Sequence, residues 1–237
     1  MAQHELYRQE ANCQLIRDSH WARGFLDCYS ITVHGRLAGH GAVAHRHDPG
    51  RVLEFYTFPE FRGDARRMFA EFLLVSGATH IEAQSNVALM QEMLQEFATE
   101  IRSEKFLFAD RETTRLECPR NGVFRRLKET GELPLFQPKD EPPGDWVIET
   151  ERRVVAMGGF LTHYNPPYAD LYMEVEESAR RLGFGSFLVQ EVKKVCYESG
   201  KLPAARCNVE NVASRATLEK AGMRVCGELL LGLAKGR

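Results

Sequence analysis

The sequence predicts an α/β fold that is built twice. Three observations point there. Strand-like and helix-like apolar patterns alternate along the chain, the same order of elements occurs in both halves, and a charged, turn-rich stretch separates them. In the first half, residues 6–21 have helical character, anchored by Leu6, Cys13 and Ile16. Residues 26–33 are apolar and β-branched and end at His34-Gly35-Arg36. Residues 39–44 follow, so the pair reads as a hairpin. Residues 52–58 are a third strand. Met68, Phe69, Phe72 and Leu73 place a helix over 66–75. Residues 80–84 read as a strand, and Val87, Met90, Met93, Leu94 and Phe97 form a second helical stripe.

The second half repeats this order. Residues 146–148 and 154–160 are strands around a turn, and 169–175 is a strand after a loop containing Asn165-Pro166-Pro167. Phe187, Leu188, Val192, Val195 and Cys196 line one side of a helix over 186–196, which Gly200 ends. Residues 204–209 are a strand, 213–221 a helix closed by Gly222, and 224–231 a last strand. The matching segments are 52–86 and 169–211. Between the halves, 111–144 is charged and rich in turn residues, and 137–144 reads as a linker. The expected division is therefore 1–110, a connecting segment over 111–144, and 145–237.

The chain has 237 residues, 43% hydrophobic and 27% charged, enough to bury a core without disulfide or metal staples. A net charge of −2 gives no global drive toward nucleic acid or an anionic membrane. The six cysteines form no C-x-x-C pair and read as reduced thiols. His45 and His47 share a loop without a third ligand nearby, so no metal site is expected. Residues 1–14 lack the apolar core of a signal peptide, and no apolar run approaches the ~20 residues of a membrane span. The expected location is the cytoplasm. Arg125-Arg126 and Lys193-Lys194 read as solvated charges.

The chemistry concentrates at 169–186. A strand runs into a basic glycine loop, Arg180-Arg181-Leu182-Gly183-Phe184-Gly185-Ser186, which opens a helix. Free backbone N–H groups and the helix dipole favour a phosphate there, and glycines allow close backbone approach. A dinucleotide fingerprint would need glycine at 188, which is Leu188. A Walker loop would need Gly-Lys-Ser/Thr, which is absent. Arg180-x-x-Gly183-x-Gly185 instead resembles the R-x-x-G-x-G/A pyrophosphate loop of the GNAT acetyltransferase superfamily. The downstream run Asn211-Val-Ala-Ser214…Glu219-Lys220-Ala-Gly222-Met223 resembles that family's N-x-x-S/A…E-K-x-G-F segment.

The resemblance covers 145–237. It implies acetyl-CoA as cofactor and a mostly antiparallel sheet flanked by helices, with two central strands splayed apart. It implies an N-acetyltransferase acting on a small-molecule or protein amine. By carry-over, the backbones of Met173 and Val175 meet the pantetheine amides. Residues 180–186, meaning Arg180, Arg181, Leu182, Gly183, Phe184, Gly185 and Ser186, hold the pyrophosphate, while Asn211 and Ser214 flank the cofactor arm. Catalysis by such an enzyme needs a group to take the ammonium proton, and Glu174, Glu176 and Asp170 are the candidates. The sequence departs from the family at Leu218, where many members carry the tyrosine that protonates the thiolate. Ser214 or Tyr172 could replace it, or solvent could serve. Leu218 also keeps open a rival, a non-catalytic acyl-CoA sensor or interaction protein. A larger acyl donor is a third reading, turning on the space near Met173 and Met223. The corresponding loop of the first half, 59–67, has one glycine, Gly63, and carries Glu60 and Asp64, which would repel a pyrophosphate. That half reads as a degenerate version that has lost the cofactor.

Overall fold

The computed structural model describes residues 2–11, 14–127, 145–162 and 166–236. In chain order the helices and strands are α1 (Ala2–Glu10), α2 (Asp18–Ala22), β1 (Leu26–Val33), β2 (Arg36–Ala44), β3 (Arg51–Thr57), α3 (Ala65–Ser76), β4 (His80–Gln84), α4 (Ala88–Phe97), β5 (Ala98–Asp110), β6 (Val123–Arg126), β7 (Trp146–Thr150), β8 (Arg153–Leu161), β9 (Tyr168–Val175), α5 (Phe184–Glu198), β10 (Leu202–Asn208), α6 (Val212–Lys220) and β11 (Met223–Ala234). The fold is mixed α/β, with mostly antiparallel strand pairs and flanking helices.

Two compact units result: residues 1–106 with 227–237, and residues 107–226. This division departs from the expected one at both ends of the second half. The end of β11 belongs to the first unit, where Leu229 to Leu233 pair antiparallel with β4. Residues 111–126 belong to the second unit, where β6 pairs with β7 from Val123↔Glu149 to Arg126↔Trp146. The proline-rich stretch 137–144 and residues 163–165 lie outside the described residues.

In the first unit, β1, β2 and β3 form an antiparallel meander, and β3 pairs parallel with β4. Helices α3 and α4 cover one face. Met68, Phe69 and Phe72 at helical spacing meet Phe55, Ile81, Met90, Met93 and Leu94 in one core. The rings of Phe55 and Phe69 sit 4.8 Å apart, edge to face. The helical character expected over 6–21 resolves into two short helices. Between them, residues 14–17 are non-helical and buried or half-buried.

In the second unit the strand order is β10-β9-β8-β7-β6. Helix α5 packs on β8 and β9. Its buried face carries Phe184, Leu188, Val189, Val192 and Cys196, one to two turns apart. Fully burying a side chain such as Leu188 stabilises by roughly 1.5–3 kcal/mol, so this stripe fixes the helix on the sheet.

Candidate acyl-CoA site

Strands β9 and β10 pair parallel only at Leu202↔Tyr168, Pro203↔Ala169 and Ala204↔Asp170, and then part. On its other edge β9 stays in register with β8 as far as Val175↔Ala156. The parting exposes an edge of β9. Glu176 N–H donates to Val155 O (2.9 Å), so position 176 faces β8. Val175 O is met instead by Arg180 Nε at 3.2 Å. N–H and C=O of one strand residue share a direction, which alternates along the strand. The peptide groups of Met173 and Val175 therefore lie along the edge that β10 has left. These are the two positions singled out in the sequence.

Beyond β9, the chain turns through Arg181 (φ 62°) and Gly183 (φ 97°) into α5. Two left-handed residues in close succession wind the loop tightly, and at Gly183 only glycine adopts that φ without strain. The first bond of the helix runs from Phe187 N–H to Gly183 O (3.1 Å), which leaves the N–H groups of Phe184, Gly185 and Ser186 without intrahelical acceptors. Arg180 and Leu182 are exposed beside them, and Phe184 is buried in the core, so only its backbone can serve a ligand. Gly185 has a further reason to be glycine. A Cβ there would lie 3.1 Å from Thr217 Cγ2, 3.3 Å from Val175 Cγ2 and 3.5 Å from Met173 Sδ. Helix packing therefore leaves little room for a side chain at Gly185, independent of any phosphate. Donors, cations and an open strand edge together fit a polyphosphate joined to an amide-bearing arm.

The contacts of Gly185 also place Met173 and Val175 on the α5 face of β9. By alternation Asp170, Tyr172 and Glu174 share the opposite face. Asp170 is buried and ion-paired with Arg206 of β10 at 3.0 Å. Glu176 is ion-paired with Arg153 of β8. Glu174 is half-buried and makes no ion pair among the described residues. Tyr172 leans over β8, its hydroxyl 2.8 Å from where a Cβ on Gly159 would sit. Asn211 caps α6, its Oδ1 accepting from Ser214 N–H at 3.0 Å. Leu218 is 3% exposed, packed rather than presented.

Sequence reasoning missed what holds α5 in place. Lys193, expected in solvent, is 4% exposed. Its ammonium is ion-paired with Asp110 Oδ1 (2.5 Å) and donates to Ala221 O (2.7 Å) and Glu112 O (2.9 Å). Asp110 also accepts from Tyr197 at 2.9 Å; burial, then that hydrogen bond, pushes the Tyr197 hydroxyl up to about 12. Gln190 binds Leu116 twice, accepting from its N–H (2.7 Å) and donating to its O (3.1 Å). The signal was a polar residue on each side of Val192, on a face otherwise apolar.

The family model described as "Acetyltransferase (GNAT) family" matches residues 107–223, nearly the limits of the second unit. Residues 107–223 are a GNAT-family domain. Among solved structures, an acetyltransferase of the GNAT family from Colwellia psychrerythraea is 16% identical, with a TM-score of 0.76 over 98% of this chain and 94% of that one. A GCN5-related N-acetyltransferase from Sphaerobacter thermophilus is 13% identical, with a TM-score of 0.54 over 98% and 86%. A tandem GNAT protein from the clavulanic acid biosynthesis pathway is also 13% identical, with a TM-score of 0.55 over 90% and 84%. At these identities the likeness is one of fold. No curated protein sequence matches the chain significantly. No helix among the described residues is long and apolar enough to cross a membrane.

Proposed function

We propose that the GNAT domain binds acetyl-CoA between β9 and β10 and transfers its acetyl group to an amine. The observation that carries this reading is the open edge of β9, which leads directly into the unpaired N–H groups at the start of α5. Bound there, acetyl-CoA supplies the acetyl group as a thioester. Met173 and Val175 align its pantetheine through the peptide groups on the open edge. Arg180, Arg181 and the N–H groups of residues 183–186 hold its pyrophosphate. Asn211 and Ser214, at the start of α6, flank the arm.

Among the three carboxylates, Glu174 is the best placed to take the ammonium proton. Guanidinium partners engage one oxygen of Asp170 and one of Glu176, which orients these carboxylates toward neighbouring strands rather than toward an incoming amine. Once neutral, the amine would attack the thioester carbonyl; as the C–S bond broke, the nitrogen would lose its extra proton and the thiolate would take one, both exchanged with solvent. Neither Leu218, which is buried, nor Tyr172, which leans toward β8, supports a protein acid at the sulfur. A second reading, acyl-CoA binding without transfer, has Leu218 in its favour. Incubation with acetyl-CoA and a panel of polyamines, amino acids, aminoglycosides and peptide amines decides between the two. Amine-dependent release of free CoA thiol supports transfer. Tight CoA binding with no release above background for any amine supports the binding-only reading.

A further inference from the structure

The first unit contains a parted parallel pair of its own. Strands β3 and β4 pair only at Arg51↔His80 and Val52↔Ile81 before they separate. In the second unit the diverging strand is half-buried from Tyr172 to Val175. Its counterpart in the first unit is closed off: Glu54, Phe55, Tyr56 and Thr57 are 0%, 1%, 2% and 0% exposed. One face of this parting is covered by α4. The other is covered by residues that precede β1.

These residues are bound to the parting strands by specific polar contacts. Leu15 N–H donates to Gln84 Oε1 (3.2 Å), and Gln84 Nε2 donates back to Leu15 O (2.7 Å). One side-chain amide thus satisfies both main-chain groups of Leu15, as a neighbouring strand would. Arg17 pairs with Glu82, whose other oxygen accepts from Arg51 at 2.9 Å. Trp21 Nε1 donates to Glu54 (3.0 Å), and the Tyr56 hydroxyl donates to Glu10 (2.5 Å). Gln14, Leu15 and Ile16 are buried, and so is Tyr7. The space left in the parting is about 10 Å³, bounded by Tyr7, Leu15 and Arg17 on one side and by Leu53, Gln84 and Met90 on the others. That is room for about one water molecule, too little for a pantetheine arm.

We infer that residues 14–17, with Tyr7, Glu10 and Trp21, are an internal ligand of the first unit, bound where a parted strand pair would otherwise admit a ligand from solution. Leu15 takes the place of an amide-bearing arm, and Gln84 reads its N–H and C=O together. The loop that follows β3 agrees with this. It forms a 3-10 turn (Pro59–Asp64) that runs straight into α3, without the left-handed residues of the Arg181–Gly183 turn. Among the described residues the first unit therefore offers neither an open strand edge nor a phosphate loop. Only the nature of the excluded ligand, an acyl-CoA, rests on the function proposed for the second unit.

The test is hydrogen exchange on the full chain, with and without CoA. The Leu15 amide is expected to exchange about 100-fold or more slowly than amides of exposed turns such as that at Asp48, and together with β4. CoA is expected to leave residues 14–17 and 54–57 unchanged. In Gln84→Leu, which keeps the volume but removes both hydrogen bonds, Leu15 is expected to exchange at least about tenfold faster, with faster tryptic cleavage after Arg17. Rapid exchange at Leu15 in the wild-type chain overturns the inference, even if Gln84→Leu fails to fold. So does a folded Gln84→Leu chain that exchanges and is cleaved like wild type, and so does slowing at 54–57 by CoA. Should CoA bind nowhere, the proposed function fails, and protection at Leu15 still decides the internal ligand.

Discussion

Glu174 and Glu82 are carboxylates with opposite surroundings, and each makes a prediction. Glu174 makes no ion pair among the described residues, lies on the face of β9 away from α5, and is the proposed base. Glu174→Gln is expected to lower turnover about 10²–10⁴-fold and to remove the acidic limb of the pH profile, with CoA affinity unchanged. Steady-state rates across pH, alongside calorimetry, check this; near-normal turnover at every pH would remove Glu174 from the mechanism. Glu82 is buried, which raises its pKa, but Arg17 and Arg51 more than offset that and hold the carboxyl below the usual range. A depressed folded pKa contributes stability that is fully present above the unfolded value, about 4.5, and is lost as pH falls through the folded one. Breaking a buried pair costs about 3–5 kcal/mol, so Glu82→Gln should melt well below wild type at pH 7. The gap should narrow as pH drops below about 4.5; thermal melts from pH 7 to 3 measure it, and a pH-independent gap would contradict the assignment. The sequence named Glu174, Glu176 and Asp170 together, as the carboxylates on and beside the motif strand. It could not rank Glu174 above Asp170 and Glu176, because Arg206 and Arg153 reach those two from neighbouring strands.

Helix α5 shows where sequence periodicity succeeds and where it stops. Its apolar stripe, its glycine-rich start and its end at Gly200 were all legible, since each is local chemistry. The partners of Gln190 and Lys193 were not. They belong to residues 110–116 and 221, distant in sequence, and charged stretches such as 111–126 read as linker when nothing local shows what they bind. β5 was missed for the same reason: its thirteen residues alternate too weakly to separate strand from the α4 stripe before it. Helix α5 carries the proposed phosphate-binding start of the site, so its docking bears on the proposed function. Lys193→Met keeps the stem and removes the ammonium, leaving Asp110 without its cation. The expected loss is about 3–5 kcal/mol, read as a lower denaturation midpoint with unchanged slope. A loss within about 0.5 kcal/mol, the range of ordinary surface substitutions, would mean that the Lys193 clamp contributes little.

Across the molecule, the order of elements was legible twice over, because strand and helix periods differ and glycines punctuate them. The unit boundaries were not. They fall inside β5 and β11, and no change of composition marks a boundary within a strand. The contrast between the loops at Gly63 and at Gly183 was visible in sequence as charge and glycine count. The reason the first parting is closed was not visible, since it depends on Gln84 meeting Leu15 across the fold. Both partings lead to the central claim: one acyl-CoA site per chain, between β9 and β10. Backbone hydrogen exchange of the intact chain with saturating CoA tests it most directly. The account predicts slowed exchange at residues 171–175 and 183–187, with none at 54–57 or 62–66. Slowing in the first unit, or no slowing around Gly183 while CoA is bound, would contradict it.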